Sequence, residues 1–376
     1  MEEKGKEKPG DKRDRSGDQG RGITLERSLK WIGGVTAVFS LIFGLRQITQ
    51  IVSDVRERQR QVAELSKVGK LQQGAADYEA AWASFEQALK TAESGGQLAK
   101  LTGQLSEERR ELRKAQEDLA MEWLENARPP RGQTFSDVVD KLVPVLNRGI
   151  ASASGARKAD LLAHFGWANF LRSRDGRQGL NPEQQYREAL EVDPTNPYAH
   201  AHWGHWNLWR REKKEEARQH FSTAIAAGRA REYVRKIQLA AWKNLRPQDD
   251  GEFLKVVNGM RKNKEKIEPQ SRNDLYSIYV FTCSSRYHAD DFAKLVAAVP
   301  ATEQLTTFRN LFYDEDFDES RRPGRDACLA TLLEAAGQKE EALQIWLTLR
   351  QKFPRKDGGS LSASVHEAIT RLAPSR

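Results

Sequence analysis

The histidines best placed to act together lie in one stretch, HAHWGHWNLW, residues 200–209. On a helix, His202 and His205 sit three residues apart on one face. At that spacing two imidazoles can share a metal ion and activate a water for hydrolysis. His200 points roughly 140–160° away around the helix and does not join them. The sequence contains no HExxH, and no nearby carboxylate at helical spacing completes a ligand set. A metal-dependent hydrolase using His202 and His205 is therefore the weaker reading. A structural helix with an aromatic face is the stronger one, and no metal or other cofactor is expected. Cys283 and Cys328 form no CxxC and fit buried thiols, not a disulfide framework. No Walker-type phosphate loop, nucleophile elbow, dinucleotide glycine motif or kinase signature occurs. The chain is not expected to be an enzyme. Asp314, Glu315, Asp316, Asp318 and Glu319 lack the glycine and final glutamate of a calcium loop and read as an acidic turn.

Charge offers a second kind of chemistry. The 376 residues include 61 Lys and Arg against 53 Asp and Glu, a formal net charge of +8. Residues 210–270 alone hold sixteen basic and nine acidic residues, so nearly all of the excess lies there. Arg229, Arg231, Arg235 and Lys236 could form a basic patch for nucleic acid or an anionic surface, which is the alternative function. No nucleic-acid-binding motif accompanies them, so nucleic acid is the less favoured partner.

The elements that must position these residues are helices. Apolar residues recur at helical spacing from residue 47 onward, and no stretch alternates as strands do. Helices are expected over 101–127 and over 135–151, the second with Asp137 as an N-cap, and over 230–244, 251–263, 271–286, 289–298 and 302–313. Within this pattern a motif repeats. Leu65, Val68, Gly69, Ala81, Phe85 and Ala88 set a spacing of small residues and one aromatic. Leu162, Phe165, Gly166, Tyr186, Ala189 and Pro194 repeat it, with Pro182 where the first set has Ala81. Trp203, Gly204, Ala217, Phe221 and Ala224 follow, and Ala330, Gly337, Ala342, Trp346 and Pro354 form a fourth set. This spacing resembles the tetratricopeptide repeat.

That resemblance implies an all-α fold, a right-handed superhelical solenoid of helix pairs over residues 63–354. It also implies a concave groove lined by Asp160, Ala163, Trp167, Phe170 and Leu171 from one repeat and Tyr198, Ala201, His205, Leu208 and Trp209 from the next. The expected partner is a protein or peptide, with Trp167, Phe170, Leu171, Tyr198, His205, Leu208 and Trp209 as contacts. The Lys and Asn clamp that chaperone-binding members use is missing at Ser66/Lys70, Ala163/Trp167 and Ala201/His205.

The N-terminal part reads differently. Residues 1–24 are charged and nearly free of apolar side chains, and are expected to be disordered. Trp31–Leu45 is an uncharged run closed by Lys30 and Arg46. With flanking apolar residues it predicts a single transmembrane helix over 25–52, a single-pass membrane anchor with a weak preference for a cytoplasmic N-terminus. A charged helical stalk over 53–62 would lead to the repeats, and 355–376 would supply a C-terminal capping helix and tail. The expected whole is a membrane-anchored scaffold or adaptor.

Overall fold

The computed structural model describes residues 25–94, 106–129, 132–176, 181–210, 213–283, 289–313, 318–354 and 359–373. Among them the chain is all-α, with sixteen helices and no strand. The tail over 1–24 and the acidic residues Asp314, Glu315 and Asp316 lie outside the described residues. The chain divides into two compact units, Met1–Arg113 and Lys114–Arg376.

In the first unit, α1 is one continuous helix, Leu25–Gly74, and α2 spans Tyr78–Glu93. Asp77 caps α2, its carboxylate accepting from the Ala80 amide at 3.2 Å. Such a cap satisfies one of the amides that a helix start leaves unpaired. The two helices meet where Gly69 faces Phe85. A Cβ added at residue 69 would sit 3.1 Å from the Phe85 ring, and Ala81, Phe85 and Ala88 are fully buried.

The expected membrane anchor is not supported. Among the described residues no helix is long and apolar enough to cross a membrane. The run Trp31–Leu45 spans roughly 22 Å at 1.5 Å per residue, against a hydrocarbon core of roughly 30 Å. Lys30 and Arg46 close it at both ends, and α1 continues past Arg46 as a charged helix with no break to mark the end of a span. The single-pass membrane localisation and the anchoring role fall with it.

The second unit takes in the end of α3 (Ser106–Glu125), then α4 (Phe135–Ser152), α5 (Gly155–Arg174), α6 (Glu183–Val192), α7 (Pro197–Trp209), α8 (Lys214–Ala226) and α9 (Arg231–Lys243). It continues through α10 (Asp250–Lys262), α11 (Pro269–Cys283), α12 (Ala289–Ala298), α13 (Ala301–Phe312), α14 (Arg322–Ala335), α15 (Lys339–Lys352) and α16 (Ser360–Leu372). Helices adjacent in sequence pack against one another, most closely α7 with α8, α5 with α6, α4 with α5 and α14 with α15. The first helices of successive pairs also pack together, α5 on α7 and α7 on α9.

The small-to-aromatic spacing accounts for these pairs. Gly166 lies under Tyr186, and Gly204 under Phe221, at Cβ distances of 2.4 and 3.1 Å. Ala330 and Trp346 are both buried in the α14–α15 pair, where the indole of Trp346 donates to Glu334 at 2.7 Å. Each fully buried ring contributes on the order of 2–3 kcal/mol of transfer free energy, and only a residue without a bulky side chain lets it in. One expected cap moves. Thr134 is the N-cap of α4, and Asp137 is the third residue of a capping box that bonds back to it. An aspartate three residues into a helix can reach back to the cap's amide, so its presence marks the start without being the start.

Candidate functional site: a cleft along the first helices of the pairs

The tight α5–α7 and α7–α9 contacts decide where the aromatic strip goes. Trp167, Phe170, Leu171, His205 and Leu208 are buried, Tyr198 is half-buried, and Trp209 is 40% exposed. The rings pack on each other. Trp167 stacks on His202 at 4.7 Å and meets His205 edge-on at 5.1 Å, while Phe170 meets Trp209 edge-on at 5.5 Å. The indole of Trp167 donates to the Leu124 carbonyl of α3 at 3.2 Å. The strip is thus the cement between helix pairs, and its surface is reached only through Tyr198 and Trp209.

What opens to solvent beside it is a cleft of about 650 Å³. The end of α3 contributes Glu122 and Glu125, α5 contributes Asp160 and His164, α7 contributes Tyr198, α9 contributes Arg231, Tyr233 and Lys236, and Glu268 joins them from just before α11. Asn196 caps α7 by accepting from the Ala199 amide at 2.9 Å, and its own amide donates to Asp160 at 2.7 Å. The sharp Asp193–Pro197 turn that starts α7 therefore also fixes the carboxylate in the wall.

His164 is buried in that wall. Its Nδ1 donates to the Asp160 carbonyl at 2.7 Å, and its Nε2 lies 3.0 Å from Glu125. His202 lies behind it as the neutral tautomer, Nδ1 donating to the Ala163 carbonyl and Nε2 accepting from the Tyr233 hydroxyl at 2.7 Å. Burial, and then the neighbouring His164, hold its pKa well below the usual histidine range. Burial, helped by Glu125 and Asp160, pushes the Tyr198 phenol up to about 12, so it keeps its proton as a donor.

The two histidines singled out for a metal do not form a site. Both ring nitrogens of His202 are engaged, and His205 is packed edge-on against Trp167 and Phe170. Among the described residues no group of three or more His, Cys, Asp or Glu could hold a metal ion. Cys283 and Cys328 are free and buried.

The four basic residues are committed inside the unit. Arg229 forms a forked pair with Asp160, at 2.8 and 3.0 Å, and also reaches Asp193 at 3.2 Å. Arg231 and Arg235 converge on Glu265, each at 2.8 Å. Burial raises the Glu265 pKa, but the hydrogen bonds from Arg235 and Arg231 outweigh it and bring the value down to about 2. Lys236 donates to Asn126 at 2.7 Å and to the Glu125 carbonyl at 3.3 Å. These partners lie 30 to 111 residues away in sequence, so no local charge count reveals them.

Of the residues lining the cleft, repeat position singles out Asp160 and Tyr198, and charge singles out Arg231 and Lys236. Neither singles out Glu122, Glu125 or Tyr233, because α3 and α9 match the repeat too loosely to be placed against it. Comparison with protein-family models and with curated proteins finds no match.

Proposed function

We propose that the chain is a non-catalytic scaffold of tetratricopeptide-like helix pairs that receives a segment of a partner protein in the cleft along α3, α5, α7 and α9. The observation that carries this reading is the cleft itself. It lies on α3 and on the first helices of successive pairs, α5, α7 and α9, and is walled by carboxylates, by Arg231 and Lys236, and by two tyrosines whose rings lie 5.6 Å apart. Carboxylates accept from the amides or cationic side chains of a bound segment, and tyrosine faces cover its apolar atoms. A polyanion bound along residues 210–270 has less support, because Arg229, Arg231, Arg235 and Lys236 are held by acceptors of the chain itself.

The test is selection of a displayed random-peptide library on the purified chain. Selected peptides are expected to lose at least about 10-fold in affinity, roughly 1.4 kcal/mol, against a Glu122→Lys/Glu268→Lys variant, with its melting temperature unchanged. Peptides that bind the variant and the original chain equally would overturn the cleft as the site.

A further inference from the structure

Among the described residues, the first unit carries an apolar stripe on α1 that α2 leaves open. Leu45, Ile48 and Val52 on α1 are 55%, 58% and 43% exposed. They are spaced three and four residues apart, and Val55, Gln59 and Val62 continue the alternation. In the sequence the same spacing runs back through Leu41 to Val38. From Val38 to Val62 this is a heptad pattern, the spacing that sets one helix against another along a shared seam.

The chain itself takes over only at the far end. From Arg58 onward α1 is tied to its own unit: Arg58 donates to the Ser94 carbonyl at 2.6 Å, Gln59 to Glu108 at 3.0 Å, and Val62 is buried. α1 is 50 residues long and α2 only 16, so α2 cannot cover the N-terminal half. A helix draws most of its stability from packing one face, and a periodic helix much longer than about 25 residues points to a helical partner.

We propose that α1 pairs with α1 of a second copy of this chain as a parallel coiled coil through Leu45, Ile48, Val52 and Val55. The flanking residues favour a second copy in that orientation. With Leu45 and Val52 at one seam position and Ile48 and Val55 at the other, the residues beside the seam are Thr49, Ile51, Arg56 and Arg58. In a parallel pair Arg56 faces the partner's Ile51, and Arg58 faces the partner's Ala63, so no two like charges oppose one another. The seam hands over to the intrachain α1–α2 pair at Gln59.

The test uses the full chain in sedimentation equilibrium. A mass of at least two copies is expected, and a single-copy mass at tens of micromolar overturns the proposal. Ile48→Asp places a charge in the seam and is expected to weaken association on the order of 100-fold. The α1–α2 pair, about three helical turns away, should keep its thermal transition. An Ile48→Asp variant that stays associated would show that another surface holds the copies, and would also overturn the proposal. Leu45→Cys and Val55→Cys, made singly, should each form an interchain disulfide under mild oxidation. If only a mixture of the two cross-links, the helices run antiparallel and the parallel coil is wrong.

Discussion

Lowering the pH from 7 to 5.5 is expected to destabilise the second unit by about 3 kcal/mol. The source is the buried histidine pair behind the cleft. Burial first, and then Arg174, lower the His205 pKa to about 3. Burial holds His202 well below its ordinary value as well. The sign follows from counting protons. Unfolded, each histidine takes up a proton as the pH falls through about 6.5, whereas folded it stays neutral down to its lowered value. Between about 6.5 and 3 the unfolded chain therefore binds more protons, and stability falls as the pH falls. At pH 5.5 the loss is on the order of 1–2 kcal/mol for each fully buried ring. His200 and His220 also have lowered values, chiefly through burial, but both are partly exposed and add less. The Arg-bound Glu265 acts in a separate window. Its contribution is complete above about 4.5 and is lost only as the pH falls toward its folded value of about 2. Urea unfolding at pH 7, 6 and 5.5 reads the effect directly. His205→Phe keeps an aromatic ring and should remove about half of the dependence. A flat profile in the unsubstituted chain would refute the assignment.

Gly166→Ala is expected to cost about 2–3 kcal/mol, although alanine is the better helix former. A methyl there would sit 2.4 Å from one Tyr186 ring carbon and 2.8 Å from another. The ring is wholly buried, with α5 beneath it, and cannot swing aside. Overpacking therefore outweighs the gain in helix propensity, which is about 1 kcal/mol. The control is Gly259→Ala in α10, where nothing lies within 4 Å of the added carbon. That substitution should stabilise by about 0.5–1 kcal/mol. Denaturant midpoints of the two variants should move in opposite directions. If Gly166→Ala proved neutral, close approach of α5 and α6 would not be what this glycine provides.

The same glycine shows which parts of the structure could be read from the residues. A small residue opposite an aromatic some sixteen to twenty positions later is a local constraint, and it survives loops of different length. Gly69 with Phe85, Gly166 with Tyr186 and Gly204 with Phe221 all meet as that spacing demands. The positions facing outward from each first helix are less secure. Whether Trp167 and His205 line a groove or a core depends on how closely α5 approaches α7, and on α3 offering Leu124 to the indole. Neither is encoded near those residues. Charge is the least legible of all. The surplus over 210–270 is real, yet Arg229 finds Asp160 69 positions earlier, and Arg235 finds Glu265 30 positions later. The composition of the apolar run before Arg46 permits a lipid-facing reading, but its length and its charged closure fall short of a span.

Arg229 does more than neutralise an acid. Its guanidinium joins Asp160 on α5 to Asp193 in the turn before α7, and lies 5.7 Å over the Tyr198 ring. In a stack of helix pairs, stability is a sum of each pair's own term and the terms between neighbours, and unzipping from the ends competes with all-or-none melting. A side chain that clasps one pair, the next turn and the next aromatic strengthens the neighbour terms without stabilising any single pair. Amides of α5, α7 and α9 should consequently exchange with solvent at one shared rate, as one cooperative block. Arg229→Ala should break that block into units that open separately, before it lowers the melting point by much.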